Sequence, residues 1–330
     1  MPEWRCIAFP AFSTQPCLIG QGDSDGLLYF WQFHKQPWII PRLTSTMAVA
    51  CCCLFSLQDM LIKRRSVKKY SSLRHERDES PETSRKVRYA PVTLSEKDGV
   101  RYLHFGTPWI QGAMRIRKPD WIELEYAQQM MAWMLFIEHP RHIVQLGLGA
   151  GTLTKFCYRN FPDARITAVE LNPAVIAVCN SMFQLPARDE RLSVIEMDAM
   201  DYVRDAERSG SMDVIQVDLY DATAKGPVLD TPEFYGACAN CLASGGIMTV
   251  NLFGDHPSYE KNLKAMRTAF GQVVCLPETG NANVVAVAFK NKVEFDFDSL
   301  YEIARRIEDA TRLPAIGWVD GLKSPRPDYQ

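Results

Sequence analysis

Between residues 142 and 290 the chain alternates short, continuous apolar runs with amphipathic stretches of helical period. The runs HIVQLG (142–147), ITAVE (166–170), LSVIEM (192–197), MDVIQVD (212–218) and GIMTVNL (246–252) read as strands. Segments 152–160, 174–183, 199–207, 232–242 and 257–270 read as helices between and after them. Unbroken Val/Ile-rich strands alternating with helices predict a parallel sheet covered on both faces. The last two runs, QVVCL (272–276) and NVVAVAFK (283–290), are separated by a stretch too short for a crossover helix, so they are expected to pair antiparallel.

Upstream, residues 100–116 hold two strand-like runs around Thr-Pro-Trp and read as a β-hairpin. Trp121–Glu138 carries apolar residues at helical spacing without internal Pro or Gly, with Asp120 at an N-cap position, and is expected to form one helix. A further helix is expected near Ser299–Thr311, followed by a Pro/Gly-rich tail. The expected fold is α/β: a Rossmann-like, AdoMet-methyltransferase-like doubly wound sheet with a terminal antiparallel hairpin, preceded by a small N-terminal β-hairpin domain. In residue numbers this gives an N-terminal hairpin over 94–118, a catalytic domain over 119–292 and a C-terminal helix and tail over 293–330.

Composition fits a folded protein of 330 residues: 47% apolar, 23% charged and 11% aromatic, which excludes wholesale disorder. The net charge of −2 gives no global reason to expect nucleic acid or an anionic membrane as partner. Its distribution is uneven, because Lys63–Arg88 carries +6 and leaves −8 for the rest. Residues 60–93 therefore read as a basic, solvated linker. Residues 1–59 are rich in Trp, Phe, Pro and Cys without a steady period, and Met60 opens MLIKRRSVKKYSS, which looks like an ordinary bacterial start. Residues 1–59 are accordingly expected to be an upstream extension from a misplaced start codon. The best apolar run there, Met47–Leu57, is far shorter than the roughly 20 residues of a membrane-spanning helix. No secretion signal is evident, so a cytoplasmic location is expected. The ten cysteines do not form a disulfide pattern, and Cys238 and Cys241 are expected to pack in a helix. The six histidines show no ligand spacing, and no metal is expected.

In a doubly wound sheet the chemistry lies just beyond the carboxyl ends of the strands. After the first central strand comes Gly147-Leu148-Gly149-Ala150-Gly151-Thr152. A dinucleotide fingerprint would place a glycine at position 152, so the glycines at 147, 149 and 151 suit a ligand without a pyrophosphate. Glu170, at the end of the second strand, can accept both ribose hydroxyls. Asp198, after the third, can accept from an adenine amino group. In order and at strand ends, these residues point to an adenosine site.

With these residues in place, the region from about Val100 to Lys290 resembles the spermidine synthase family of polyamine aminopropyltransferases. Gln111 resembles the glutamine that ends the family's hairpin. VELNP (169–173) and DAMDY (198–202, including Ala199) resemble its nucleoside-binding segments. The most specific match is Asp218-Leu219-Tyr220-Asp221, followed by Gly226-Pro227 and Glu233-Phe234-Tyr235. The resemblance implies decarboxylated AdoMet as co-substrate, a polyamine or diamine such as putrescine as acceptor, and pairing of two copies through the N-terminal strands. It casts Asp218 as the carboxylate that takes a proton from the attacking amine and Asp221 as an ammonium partner.

Departures from the family pattern bear on donor and acceptor. Ala150 stands where the family's glycine turn carries an acid that contacts the amine of the decarboxylated donor. Leu124 and Glu125 stand at the positions matched to its Tyr and His/Gln. Leu219 and Tyr220 replace small hydroxyl residues, and Ala222 replaces a proline. Glu125, Tyr126 and Tyr220 are then the candidate acceptor-side residues. An acid-free turn should tolerate the carboxylate of intact AdoMet, so an AdoMet-dependent methyltransferase of the same fold is the alternative. A non-catalytic nucleoside-binding relative is a third reading, disfavoured by the paired aspartates.

Overall fold

The computed structural model describes residues 89–221, 226–254 and 256–324, so the expectations for residues 1–59 and for the basic linker up to Arg88 lie outside the described residues. The chain enters a three-stranded antiparallel sheet of β1 (Thr93–Lys97), β2 (Val100–His104) and β3 (Gly112–Arg115). The expected hairpin is β2 and β3, and β1 adds a third strand. Its turn is Asp98-Gly99, both at positive φ (52° and 76°), the geometry a two-residue hairpin turn requires.

After α1 (Glu125–Gln129) the main sheet builds up as β4 (His142–Leu146), α2 (Thr152–Asn160), β5 (Arg165–Glu170), α3 (Pro173–Met182), β6 (Leu192–Glu196), α4 (Ala199–Arg204), β7 (Met212–Val217), α5 (Pro232–Cys241), β8 (Leu242–Phe253), α6 (Ser258–Ala269), β9 (Gln272–Cys275) and β10 (Asn283–Phe289). The order is β6-β5-β4-β7-β8-β10-β9. The first five strands run parallel, β10 pairs antiparallel with both β8 and β9, and the expected terminal hairpin is present. All five residues of β4 are buried, as a strand covered on both faces demands. One face packs on Trp133, Phe156 and Phe289 with the two C-terminal helices, α7 (Phe297–Thr311) and α8 (Ala315–Lys323). The other packs on Phe234, Tyr235 and Met248. Helix α8 occupies the stretch expected to be tail, and Trp318 and Val319 bury it against the first face.

The helix expected over Trp121–Glu138 is broken into α1 and a 3-10 turn at Ala132–Leu135. The cause lies in the sheet beneath. The Met130 carbonyl accepts from Gln216 Nε2 and Thr249 Oγ1, each at 3.1 Å, while the Met134 amide turns to Met131 O instead. Buried sheet polar groups thus take the carbonyl that a continuous helix would have used. Asp120 does not cap this helix; it pairs with Arg159 at 2.5 Å. Cys238 and Cys241 are free thiols packed in α5, as expected. His142 is buried among Thr167, Ser211 and Arg165, and burial lowers its pKa to about 4, which fits a neutral core residue. Among the described residues no helix is long and apolar enough to cross a membrane.

Candidate active site

Strand order reverses between β4 and β7, and the chain leaves these neighbouring strands through Gly147 and Asp218. The switch point therefore brings the glycine turn and the aspartate loop side by side. The fit is tight: a Cβ on Gly147 (φ 96°) would overlap the Asp218 carbonyl. The hairpin closes on the same turn. A Cβ on Gly112 would lie 2.6 Å from the Ala150 nitrogen, and Thr152 Oγ1 donates to Ala113 O at 2.8 Å. The resulting cleft encloses about 400 Å³, including its open mouth. Its lining includes Gln111, Tyr126, Gly147, Gly149, Ala150 and Asp218.

Glu170 sits where β5 ends beside this turn. Its Oε2 accepts from Leu148 N at 3.0 Å and its Oε1 from Asn172 N at 2.8 Å. Burial raises its pKa; the amides of Asn172, Leu148 and Leu171 oppose that rise, and the Asp218 charge adds to it. Glu170 thus fixes the shape of the glycine turn, although it is not among the residues lining the cleft. Asp198 accepts from Met200 N at 2.7 Å and caps α4, where Ala199 is buried. Leu171 and Met197, beside these two acids in sequence, stay exposed.

Gln111 joins the parts. Its amide nitrogen donates to Leu103 O, its carbonyl would lie 3.1 Å from a Cβ on Gly149, and its side chain donates to the Asp221 carbonyl at 3.2 Å. Asp221 is exposed. Asp218 is held on both oxygens: Tyr126 hydroxyl donates to Oδ2 at 3.2 Å and Asn251 Nδ2 to Oδ1 at 3.0 Å. Burial raises the Asp218 pKa, and the two donors pull it back by favouring the charged form. Burial also raises Tyr126 and Tyr220 above the usual phenol value. Tyr220 donates to the Asn251 carbonyl at 3.2 Å.

Of the candidates expected to replace the groups lost at Leu124 and Glu125, Tyr126 reaches Asp218 through its hydroxyl. Glu125 is exposed, accepts from Gly280 N at 3.2 Å and is not among the residues lining the cleft. Asn251 and its partner Asn283 escape a reading by motif. The available signal was an asparagine interrupting the apolar run GIMTVNL at a strand's carboxyl end, where a buried amide needs a partner.

The doubly wound sheet with its terminal antiparallel hairpin, and a cleft at the switch point lined by the glycine turn and the strand-end Asp218 but not by Glu170 or Asp198, place the chain in the class of AdoMet-methyltransferase-like α/β folds. The Spermine/spermidine synthase domain matches residues 123–299. A polyamine aminopropyltransferase from Neisseria meningitidis is 32% identical over 243 residues, covering 73% of this chain and 92% of the relative. One from Chromobacterium violaceum is 32% identical over 234 residues, covering 70% and 89%. A probable spermidine synthase from Corynebacterium glutamicum has the same fold, with a TM-score of 0.58 at 21% identity over 72% of this chain and 91% of that one. The chain belongs to the spermine/spermidine synthase family.

Proposed function

We propose that the protein moves an aminopropyl group from decarboxylated AdoMet to a primary amine of a polyamine or diamine such as putrescine, and releases methylthioadenosine. The amine nitrogen attacks the propyl carbon next to the sulfonium, a C–N bond forms as the C–S bond breaks, and the electron pair of that bond returns to sulfur. The ammonium form of the amine has no lone pair, so a carboxylate must take its proton, directly or through water. The observation that carries this reading is Asp218: a half-buried carboxylate lining the cleft, held by two neutral donors that leave further lone pairs free.

On the donor side the glycine turn, Glu170 and Asp198 with Ala199 would hold the nucleoside, and exposed Leu171 and Met197 offer apolar contact to a planar base. Gln111 would close over it. On the acceptor side Tyr126 and Tyr220 border the amine, while Asp221 and Glu125 are acids for the ammonium groups. Cytoplasmic polyamine synthesis by a pair of chains joined at their N-terminal sheets belongs to the same reading.

Ala150 is the observation that favours the alternative, methyl transfer from intact AdoMet, because an apolar turn does not repel the donor carboxylate. Turnover separates the two. With decarboxylated AdoMet and putrescine, one methylthioadenosine per aminopropylated amine is expected. Methylated product and S-adenosylhomocysteine from intact AdoMet, with no aminopropyl product, would overturn the proposal.

A further inference from the structure

Of the two donors on Asp218, one is itself held. An ionised carboxylate only accepts, so Asn251 must face it with Nδ2. That leaves Asn251 Oδ1 pointing the other way, where Asn283 Nδ2 donates to it at 3.0 Å. Asn251 is almost fully buried, so an amide turned the wrong way would set two oxygens against each other with no water to separate them. The backbone of Asn283 is pinned as well. It opens β10 opposite Phe253 of β8, and its carbonyl accepts from Thr279 N in a turn closed by Ala282 N on Thr279 O. The Tyr220 hydroxyl donates to the Asn251 carbonyl and so holds the backbone of that residue.

We propose that Asn283 is a positioning residue: acting through buried Asn251, it locks that amide with its nitrogen toward Asp218 and so keeps the half-buried carboxyl ionised and aimed. The titratable groups facing Asp218 are Tyr126 from α1, Tyr220 from its own loop and Glu170 from β5. Strands β8 and β10 contribute the two asparagines. Each titratable neighbour is an acid, so its ionisation can only oppose the Asp218 charge, and hydrogen bonding has to supply what holds the ionised form. The orientation of Asn251 stands on geometry alone; its effect on turnover rests on the reading of Asp218 as the proton acceptor.

The test is a double-mutant cycle read by ¹³C-carboxyl NMR on the full chain labelled at aspartate, with Asp218 assigned as the resonance lost in Asp218→Asn. Asn251→Leu and Asn283→Leu are each expected to raise the Asp218 midpoint, the second by roughly half to one pH unit, a three- to tenfold gain in proton affinity. The double variant should sit no higher than Asn251→Leu alone. A wild-type midpoint in Asn283→Leu, or shifts that simply add, would overturn the proposal. If Asn283→Leu fails to fold, the near-isosteric Asn283→Asp replaces it. An acid there attracts Asn251 Nδ2 and turns the amide, so a rise is expected that shrinks sharply in the Asn251→Leu background; no rise, or an undiminished one, overturns the proposal.

With decarboxylated AdoMet and putrescine, the acid limb of the kcat profile should move with the midpoint. Absence of wild-type turnover with the NMR coupling intact would sink the functional reading and leave this one standing. Normal turnover with no coupling would do the reverse.

Discussion

On the side of the cleft proposed for the donor, the surface is mostly backbone. Gly147, Gly149 and Gly151 hold positive φ, Glu170 ties the turn through the amides of Leu148 and Asn172, and the hairpin seats Gly112 against Ala150. On the side proposed for the acceptor it is side chains: Asp218 after β7, Tyr126 on α1, Asn251 on β8 and Asn283 on β10 meet in one hydrogen-bonded group. A backbone-built half is specified by where side chains must be absent, and a side-chain-built half by which groups converge. The first should fail through strain when anything is added, the second through chemistry when one atom is removed.

Adding a methyl group at Gly147 tests the first statement hardest. Gly147→Ala puts a Cβ into the Asp218 carbonyl at a φ of 96°, so a loss of about 4 kcal/mol or more is expected, with both halves disturbed together. Thermal or denaturant unfolding measures it, and a stable variant with normal turnover would contradict the close packing described.

Removing one oxygen on the other side should spare the fold. Tyr126→Phe takes one donor from the Asp218 carboxylate, a bond to a charged group worth about 1.5–3 kcal/mol. The expected result is a roughly tenfold or greater fall in kcat with donor affinity unchanged, because the removed hydroxyl holds Asp218 rather than the glycine turn. Its acid limb should also shift upward, since the lost donor favoured the ionised form.

Ala150→Asp crosses the comparison by placing acceptor-type chemistry in the donor half. A carboxylate there should repel the carboxylate of intact AdoMet and attract the ammonium of the decarboxylated donor. About a tenfold change in their affinity ratio is expected by calorimetry, and an unchanged ratio would remove position 150 from donor selection.

Asp213 serves as a control remote from both halves. It accepts from the amides of Arg141 and His142 and from the Arg141 guanidinium. Burial pushes its pKa up, but these bonds together leave it below the usual carboxylate value. A carboxyl depressed by folding adds stability above its unfolded pKa and loses it as pH falls through the folded one. Asp213→Ala should therefore cost about 1–2 kcal/mol at neutral pH, with the Tm gap to wild type closing on acidification and kcat unchanged.

The same contrast decides what could be read from the sequence. The glycine turn, the strand-end positions of Glu170 and Asp198 and the terminal hairpin were legible because glycine spacing and strand ends are local patterns. The break after α1 was not, since it follows from Gln216 and Thr249 reaching Met130 across the sheet. Strand β1 was hidden by its polar alternation, although Asp98-Gly99 was a usable turn signal. Asn251 and Asn283 lie 32 residues apart in sequence, and only the antiparallel pairing of β8 with β10 makes them neighbours. Tyr126 was named as a candidate, but its contact with Asp218 depends on where the shortened helix starts, at Glu125 rather than Trp121.

Separability of the two halves is measured most directly on Asp218→Asn, with methylthioadenosine affinity by calorimetry and aminopropyl transfer from decarboxylated AdoMet to putrescine followed on the same sample. Expected are an affinity within about twofold of wild type and a fall in kcat of roughly 10²–10⁴-fold, the range for loss of a general base. Undiminished transfer would contradict the role of Asp218, and affinity falling in step with turnover would contradict the division of the cleft into a backbone-built donor half and a side-chain-built acceptor half.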